Sequence, residues 1–234
     1  MVKNIVLVHG GLVDGSSWAK VIPLLEARGH EVTAVQNPLT SLADDVATTR
    51  RALDVQVGPV LLVGHSWGGV VITEAGTHPA VVGLAYVCAF APAPGQSLAE
   101  AAAPGPAPAA GQHFALDAAG FVRYTRQGWD EDLAPDVPAA ERRLLFATQQ
   151  PLAAATRREP VGAAAWQTKP SWYLVADDDR IVHPDLQRSM ARRMGATTRS
   201  VAAGHLPMLS QAEAVAAFIL AAAQQVGSQE PVAP

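Results

Sequence analysis

Ser66 is the first residue in the chain whose surroundings are those of a catalytic nucleophile. It is the serine of a Gly-x-Ser-x-Gly segment, 64–68, which follows a short apolar run and precedes an apolar segment with helical spacing. A strand, a sharp turn and a helix in this order lift a serine hydroxyl above the edge of a sheet. Glycine is needed two residues to either side because a side chain there would collide with neighbouring backbone. The pattern predicts a serine nucleophile at position 66.

A serine hydroxyl needs a base to take its proton and an acid to orient that base. Among the seven histidines, His205 follows the last predicted strand, at the carboxyl edge of the sheet where ligands bind in open α/β sheets. Asp179 is our choice for the acid and Asp178 is the alternative, because the acidic run 177–179 directly follows another predicted strand. The order Ser66, Asp179, His205 is the one in which such partners follow a serine of this kind.

The other six histidines lie beside turns, at helix ends or in one long insertion. For His9 and His65 we expect a role in bracing loops. A surface or helix-capping role is expected for His30, His78 and His183. His113 lies in the insertion, and contact with a substrate is the less favoured reading for it.

Strand patterns alternate with helix patterns along most of the chain. The predicted strands are Ile5–Val8, Glu31–Val35, Val60–Val63, Val82–Phe90, Ser171–Ala176 and Thr197–Val201. The predicted helices besides the one after Ser66 are Ser16–Arg28, Ser41–Val55 with an exposed Asp/Arg face, Pro184–Met194 and Ala212–Gln225. This alternation predicts an α/β fold with a mostly parallel six-stranded sheet and helices on both faces.

One segment interrupts the alternation and divides the chain into core residues 1–93, a cap insertion 94–168 and core residues 169–234. Residues 91–111 are rich in alanine and proline and are expected to be loop-like. The aromatic residues beyond them lie in patches of helical pattern: Phe121, Tyr124, Trp129, Phe146 and Trp166. Clustered aromatics favour a cap over the strand ends rather than an exposed excursion.

Composition excludes several classes of function. The formal charge is −4, from 17 basic and 21 acidic residues, which argues against nucleic acid as a partner. No apolar run approaches twenty residues, so we expect no membrane span. We expect a cytoplasmic location. The single Cys88 lies in an apolar run and is expected to be buried and inert. Cysteine and histidine spacing suggests no metal or cofactor. The apolar closing helix can pack on its own sheet or pair with a second copy of the chain, so a homodimer stays open as an alternative.

Taken together, these motifs resemble those of α/β-hydrolase-fold enzymes over nearly the whole chain. The similarity is greatest to the group of plant methylesterases, hydroxynitrile lyases and related bacterial esterases. It is carried by the segments His9-Gly10-Gly11, Gly64-His65-Ser66-Trp67-Gly68-Gly69, Asp179-Arg180-Ile181-Val182 and Gly204-His205. The resemblance implies an oxyanion hole formed by the backbone N–H groups of Gly11 and Trp67, each contributing about 3 kcal/mol to the transition state.

The same resemblance implies hydrolysis of a small, rather apolar carboxylic ester through an acyl-enzyme, with water and the ester as the only reactants. The residues expected to bind the substrate are Gly10, Leu12, Phe90 and Leu206, together with aromatic residues of the cap. Hydroxynitrile lyases of this group have a lysine where this chain has Leu206 and a threonine where it has Gly10. Haloalkane dehalogenases need a carboxylate in place of Ser66. Both activities are therefore disfavoured.

Other functions on the same scaffold stay open. The triad also serves carbon–carbon bond hydrolysis, lactone opening and cofactor-free perhydrolysis. A small-ligand receptor that keeps the fold is a further alternative, and sustained turnover would distinguish an enzyme from it.

Overall fold

A computed structural model describes residues 2–105 and 109–228 of the chain. Six strands form one sheet in which every neighbouring pair is parallel. In chain order these strands are β1 (Asn4–Val8), β2 (Glu31–Ala34), β3 (Val60–His65), β4 (Val81–Val87), and, after the insertion, two more at Ser171–Ala176 and Thr197–Val201. The predicted six-stranded, mostly parallel sheet is confirmed.

Helices cover both faces of this sheet because the buried residues of the four inner strands alternate between two apolar cores. Ile5 and Leu7 of β1 belong to one core, whereas Val6 and Val8 belong to the other. The helices before the insertion are α1 (Ile22–Glu26), α2 (Leu42–Asp54) and α3 (Trp67–Ala75). The helix at Pro184–Arg193, the short helix at Pro207–Ser210 and the closing helix at Ala212–Ser228 follow the insertion.

The closing helix packs against the protein's own sheet. Its residues Phe218, Ile219 and Ala222 are buried in the same core as Ile5 and Leu7. Of the two partners that the sequence left open for this apolar face, the structure supplies the intrachain one. No helix within the described residues is both long enough and apolar enough to cross a membrane.

The insertion between β4 and the fifth strand of the large sheet contains a second, smaller sheet. It is antiparallel and has three strands, β5 (Phe114–Leu116), β6 (Phe121–Tyr124) and β7 (Leu152–Ala153). Among the described residues of the insertion, three α-helices accompany these strands: α4 (Leu98–Ala102), α5 (Arg126–Gly128) and α6 (Ala139–Thr148). After the insertion come β8 (Ser171–Ala176), α7 (Pro184–Arg193), β9 (Thr197–Val201), α8 (Pro207–Ser210) and α9 (Ala212–Ser228).

Several predicted elements need correction. Phe121 and Tyr124 lie in β6 and not in a helical patch, because Asp117 and Gly120 form the tight turn of a hairpin. The predicted loop 91–111 contains α4, whose start is fixed by a capping box between Ser97 and Glu100. Residues 106–108 of this predicted loop lie outside the described part of the chain.

The predicted helix Ser16–Arg28 is two short helices, a 3₁₀ turn at Gly15–Trp18 and α1. Its second part starts only at Ile22 because the following proline, Pro23, favours the first turn of a helix. The strand expected to run to Phe90 ends at Val87, where Cys88 takes a positive φ of 36°.

Candidate active site

The turn between β3 and α3 holds Ser66 in a backbone conformation that few side chains adopt. Its φ is +51° and its ψ is −119°, which lies in a strained region for any residue with a Cβ. A Cβ on Gly64 would lie 2.6 Å from the carbonyl oxygen of Gly68, and one on Gly68 would lie 2.5 Å from that of Val8. The two glycines therefore allow the turn to approach its own helix and β1.

Ser66, His205 and Asp179 form one hydrogen-bonded chain. The Nε2 atom of His205 lies 2.8 Å from Oγ of Ser66, and its Nδ1 atom lies 2.7 Å from Oδ2 of Asp179. All three residues are buried. With a proton on Nδ1 donated to the carboxylate, the Nε2 lone pair can accept the serine proton, which is the arrangement that activates a serine nucleophile.

Asp179 is held by three donors besides the histidine. Its Oδ1 atom accepts hydrogen bonds from the N–H groups of Ile181 and Val182 at 2.8 and 2.9 Å. Its Oδ2 atom accepts a third, at 2.9 Å, from the side-chain amide of Gln187. Asp178, the alternative acid, is exposed. The structure therefore brings Asp179, and not Asp178, to the histidine.

Gln187 is a residue of the site that the sequence did not reveal. Its side chain is fully buried, donates also to the carbonyl of Val182 and accepts from the N–H of Ala176 at the end of β8. It thereby ties the strand end, the turn and Asp179 together. No local pattern marks it, because a glutamine within an amphipathic helix has the appearance of a surface residue.

His65 fixes the main chain of the catalytic loop. Its Nε2 atom lies 2.8 Å from the carbonyl oxygen of His205, so this nitrogen carries the proton and Nδ1 carries the lone pair. Burial is the first cause that lowers the pKa of His65 well below its usual value, and the neighbouring His205 adds to the effect. Cys88 donates its thiol to the same carbonyl, and burial raises its pKa well above the usual value. Both groups are therefore neutral.

His9 braces the neighbouring loop in a similar way. Its Nε2 atom accepts the N–H of Asn37 at 3.0 Å, and its Nδ1 atom donates to the carbonyl of Gly10 at 2.8 Å. Burial lowers the pKa of His9, which favours this neutral form. Of the other histidines, His183 caps α7 by accepting the N–H of Asp185.

Gly11 and Trp67, the expected oxyanion donors, both line the cavity above Ser66. Gly11 follows β1 and Trp67 begins α3. Within the described residues, neither backbone N–H has a hydrogen-bond partner. An N–H at the start of a helix also has the favourable end of the helix dipole behind it. Both groups are thus available to a developing negative charge.

Asp45 is a second residue that the sequence did not reveal. The sequence placed it on an exposed face of α2, but it is fully buried. Its Oδ2 atom accepts the indole N–H of Trp67 at 2.7 Å, and its Oδ1 atom accepts the N–H of Leu39 at 2.9 Å. Burial, the largest effect, raises the pKa of Asp45 to about 6, although these two hydrogen bonds act to lower it. The residue that begins α3 is therefore anchored by a buried carboxyl group.

The cavity above Ser66 has a volume of about 140 Å³ and mainly apolar walls. Leu12 and Phe90 lie in its wall as expected, but Gly10 and Leu206 do not. Leu206 is buried in the core instead. Gly10 is needed for packing, since a Cβ there would lie 2.7 Å from Nδ1 of His65.

The insertion provides half of the cavity wall. From it come Leu98, Ala102, Phe114, Val122, Tyr124, Leu133, Leu152, Ala154 and Arg157. Tyr124 is the predicted aromatic residue that reaches the cavity, whereas Trp129 is fully buried in the core. His113 pairs with Asp132 at 2.7 Å and is not part of the wall.

One group of potential metal ligands occurs within the described residues, formed by His65, Cys88 and His205. Both ring nitrogens of His205 and the Cys88 thiol are already engaged in the hydrogen bonds given above. A metal ion there would compete with the contact between His205 and Ser66.

Comparison with known proteins agrees with this geometry. A model of the alpha/beta hydrolase family matches residues 5–218. Pyrethroid hydrolase of Sphingobium wenxiniae is 31% identical over 256 residues, covering 95% of this chain and 90% of that protein. Polyneuridine aldehyde esterase of Rauvolfia serpentina is 35% identical over 111 residues, covering 41% of this chain and 42% of that protein.

A solved structure extends the similarity to nearly every residue. The crystal structure of a pyrethroid hydrolase from Sphingobium faniae JZ-2 superposes with a TM-score of 0.83 at 25% identity, covering 98% of this chain and 100% of that one. The sheet and the insertion belong to one shared architecture.

Proposed function

Because the chain belongs to the alpha/beta hydrolase family, we propose that it hydrolyses small, rather apolar carboxylic esters with Ser66 as the nucleophile. The observation that carries this proposal is the hydrogen-bonded chain Ser66–His205–Asp179 at the floor of a cavity with mainly apolar walls. Two relatives with similar sequences are named as a pyrethroid hydrolase and an esterase, which supports ester hydrolysis.

The proposed reaction proceeds through an acyl-enzyme. Oγ of Ser66 attacks the ester carbonyl while Nε2 of His205 takes its proton, and Asp179 stabilises the resulting imidazolium. The N–H groups of Gly11 and Trp67 bind the oxyanion. His205 then protonates the leaving alcohol and afterwards activates a water molecule, which releases the acid and restores Ser66.

The proposal includes a cap formed by residues 94–168. The lining residues that this segment contributes support that role, since a wall above the nucleophile restricts both water and substrate. For location we propose the cytoplasm, where a lone buried thiol such as that of Cys88 stays reduced.

Hydrolysis of p-nitrophenyl esters from acetate to octanoate tests the proposal. We expect sustained turnover by the wild type and its loss in Ser66→Ala. The matched control is Ser16→Ala, an exposed serine, which is expected to retain wild-type activity. Turnover that is indifferent to Ser66 would contradict the proposal. A single turnover would favour the receptor alternative, and turnover restricted to lactones or carbon–carbon bonds would favour another reaction on the same triad.

A further inference from the structure

Arg157 is the one Lys, Arg, Asp or Glu residue among those that line the cavity above Ser66 within the described part of the chain. It lies in a short 3₁₀ helix, Ala154–Arg158, that follows β7. This helix is fixed to the strand by Thr156, whose hydroxyl donates to the carbonyl of Ala153 at 2.7 Å. The backbone position of Arg157 is therefore set by the insertion.

No acidic side chain in residues 2–105 or 109–228 lies within 4.0 Å of the Arg157 guanidinium. Two other arginines have partners: Arg180 donates to the carbonyl of Glu131, and Arg188 pairs with Asp177. A guanidinium stays charged at any pH at which the protein is folded. The cavity wall thus carries one positive charge that the described protein leaves unpaired.

A second cavity adjoins the first at this residue. Its volume is about 750 Å³, and it shares Val122, Ala154 and Arg157 with the cavity above Ser66. The rest of its wall is formed largely by alanines, with Arg158 at one side. Arg157 therefore lies on the side of the Ser66 cavity that borders the second cavity.

We propose that Arg157 binds a carboxylate at the far end of the ester substrate, so that the preferred substrates are esters of dicarboxylic acids with one free acid group. The proposal rests on the ester hydrolysis proposed above and adds a substrate class to it. The apolar wall accommodates the methylene chain, and the planar fork of donors on a guanidinium matches the two oxygens of a carboxylate. A neutral ester of the same length would leave this charge without a partner.

The first test uses mono-p-nitrophenyl esters of succinic, glutaric, adipic and suberic acid. Each is compared with the neutral p-nitrophenyl ester of the same length in which a carboxamide replaces the free carboxyl group, called the amide below. At the best chain length we expect the acid to have a kcat/KM about tenfold above that of its amide, a factor of the size that one partly exposed charge pair can supply. Arg157→Gln should abolish this preference and leave kcat/KM for the amides within about twofold. Arg158→Gln, the matched neighbour, should retain the preference.

Salt provides a further check. Because Arg157 is exposed, raising the salt concentration should reduce the preference for the acid without changing the rate for the amide. Equal kcat/KM for acid and amide at every length would overturn the proposal, as would a preference that survives Arg157→Gln.

A binding measurement separates this inference from the function on which it rests. Calorimetry on Ser66→Ala would compare monomethyl adipate with methyl adipamate. Tighter binding of the acid that disappears in the double variant Ser66→Ala/Arg157→Gln supports the carboxylate site even if no ester is hydrolysed. Suppose that Ser66-dependent cleavage of the p-nitrophenyl ester is seen in the amide series and that monomethyl adipate and methyl adipamate bind equally. This result supports the function and overturns the carboxylate site.

Discussion

The buried carboxyl group of Asp45 is expected to make the protein less stable as the pH rises from about 4 to about 7. In the folded protein, burial raises the pKa of this group from 3.8 to about 6. The unfolded chain therefore loses the proton near pH 4, whereas the folded chain keeps it until about pH 6. Between these values the folded state binds more protons, so the free energy of unfolding falls as the pH rises.

The size of this effect follows from the difference of about two pKa units, which corresponds to about 3 kcal/mol. Asp45→Asn removes the titrating group. Relative to this variant, the wild type should lose about 3 kcal/mol of stability between pH 4 and pH 7. The asparagine itself can accept only one of the two hydrogen bonds from Trp67 and Leu39, which costs the variant a constant amount at every pH.

Urea unfolding of both proteins at half-unit pH steps measures the difference, in which the titration of groups that do not interact with Asp45 cancels. Asp44→Asn is the matched control. Asp44 is exposed, and hydrogen bonds from the side chains of Thr40 and Ser41 lower its pKa. Its contribution is present above the unfolded pKa and is lost only below pH 4, outside the window. A wild-type minus Asp45→Asn difference that stays constant from pH 4 to pH 7 would refute the reasoning.

Two further substitutions test the geometry of the site. Asp179→Asn is expected to lower kcat for p-nitrophenyl esters by roughly 10³- to 10⁴-fold. Asp178→Asn, at the exposed neighbour, should leave kcat within about twofold of the wild type. Equal effects of the two substitutions would contradict the assignment of the acid. Gly10→Ala places a Cβ 2.7 Å from an imidazole nitrogen and 2.9 Å from the Cβ of Ser66, so a lower melting temperature and reduced turnover are expected. Gly111→Ala, with nothing within 4 Å, should melt like the wild type, and an unchanged Gly10→Ala would show that the turn can relax.

The large sheet and the positions of the three triad residues could be predicted because local rules determine them. Ser66 requires a strand, glycines at fixed positions and a helix, all within a dozen residues. His205 and Asp179 each follow a strand, and parallel strands bring their carboxyl ends to one edge. The register places Gly64 of β3 beside Val8 of β1, so residues that are distant in sequence meet without any further information.

Asp45 and Gln187 could not be predicted because their roles depend on side chains that pack from other parts of the chain. Each lies on a helix among charged residues, where an exposed position is the ordinary expectation. The hairpin of β5 and β6 was missed for a different reason. Its turn has a local signature, since Asp117 accepts the N–H groups of Ala119 and Phe121, but the apolar residues around it fit a helical spacing equally well.

The wall of the cavity is physically connected to Gly11 and Trp67, the proposed oxyanion donors. Ala153 of β7 donates its N–H to the carbonyl of Leu39, whose own N–H is accepted by Asp45, which in turn holds the indole of Trp67. The neighbouring Leu152 packs within 3.1 Å of where a Cβ on Gly11 would lie. A change at Leu152 that alters the pocket therefore also acts on Gly11, and through Ala153 on Trp67. Substitutions farther along this segment, as at the exposed Arg157, can change the choice of substrate without altering those contacts.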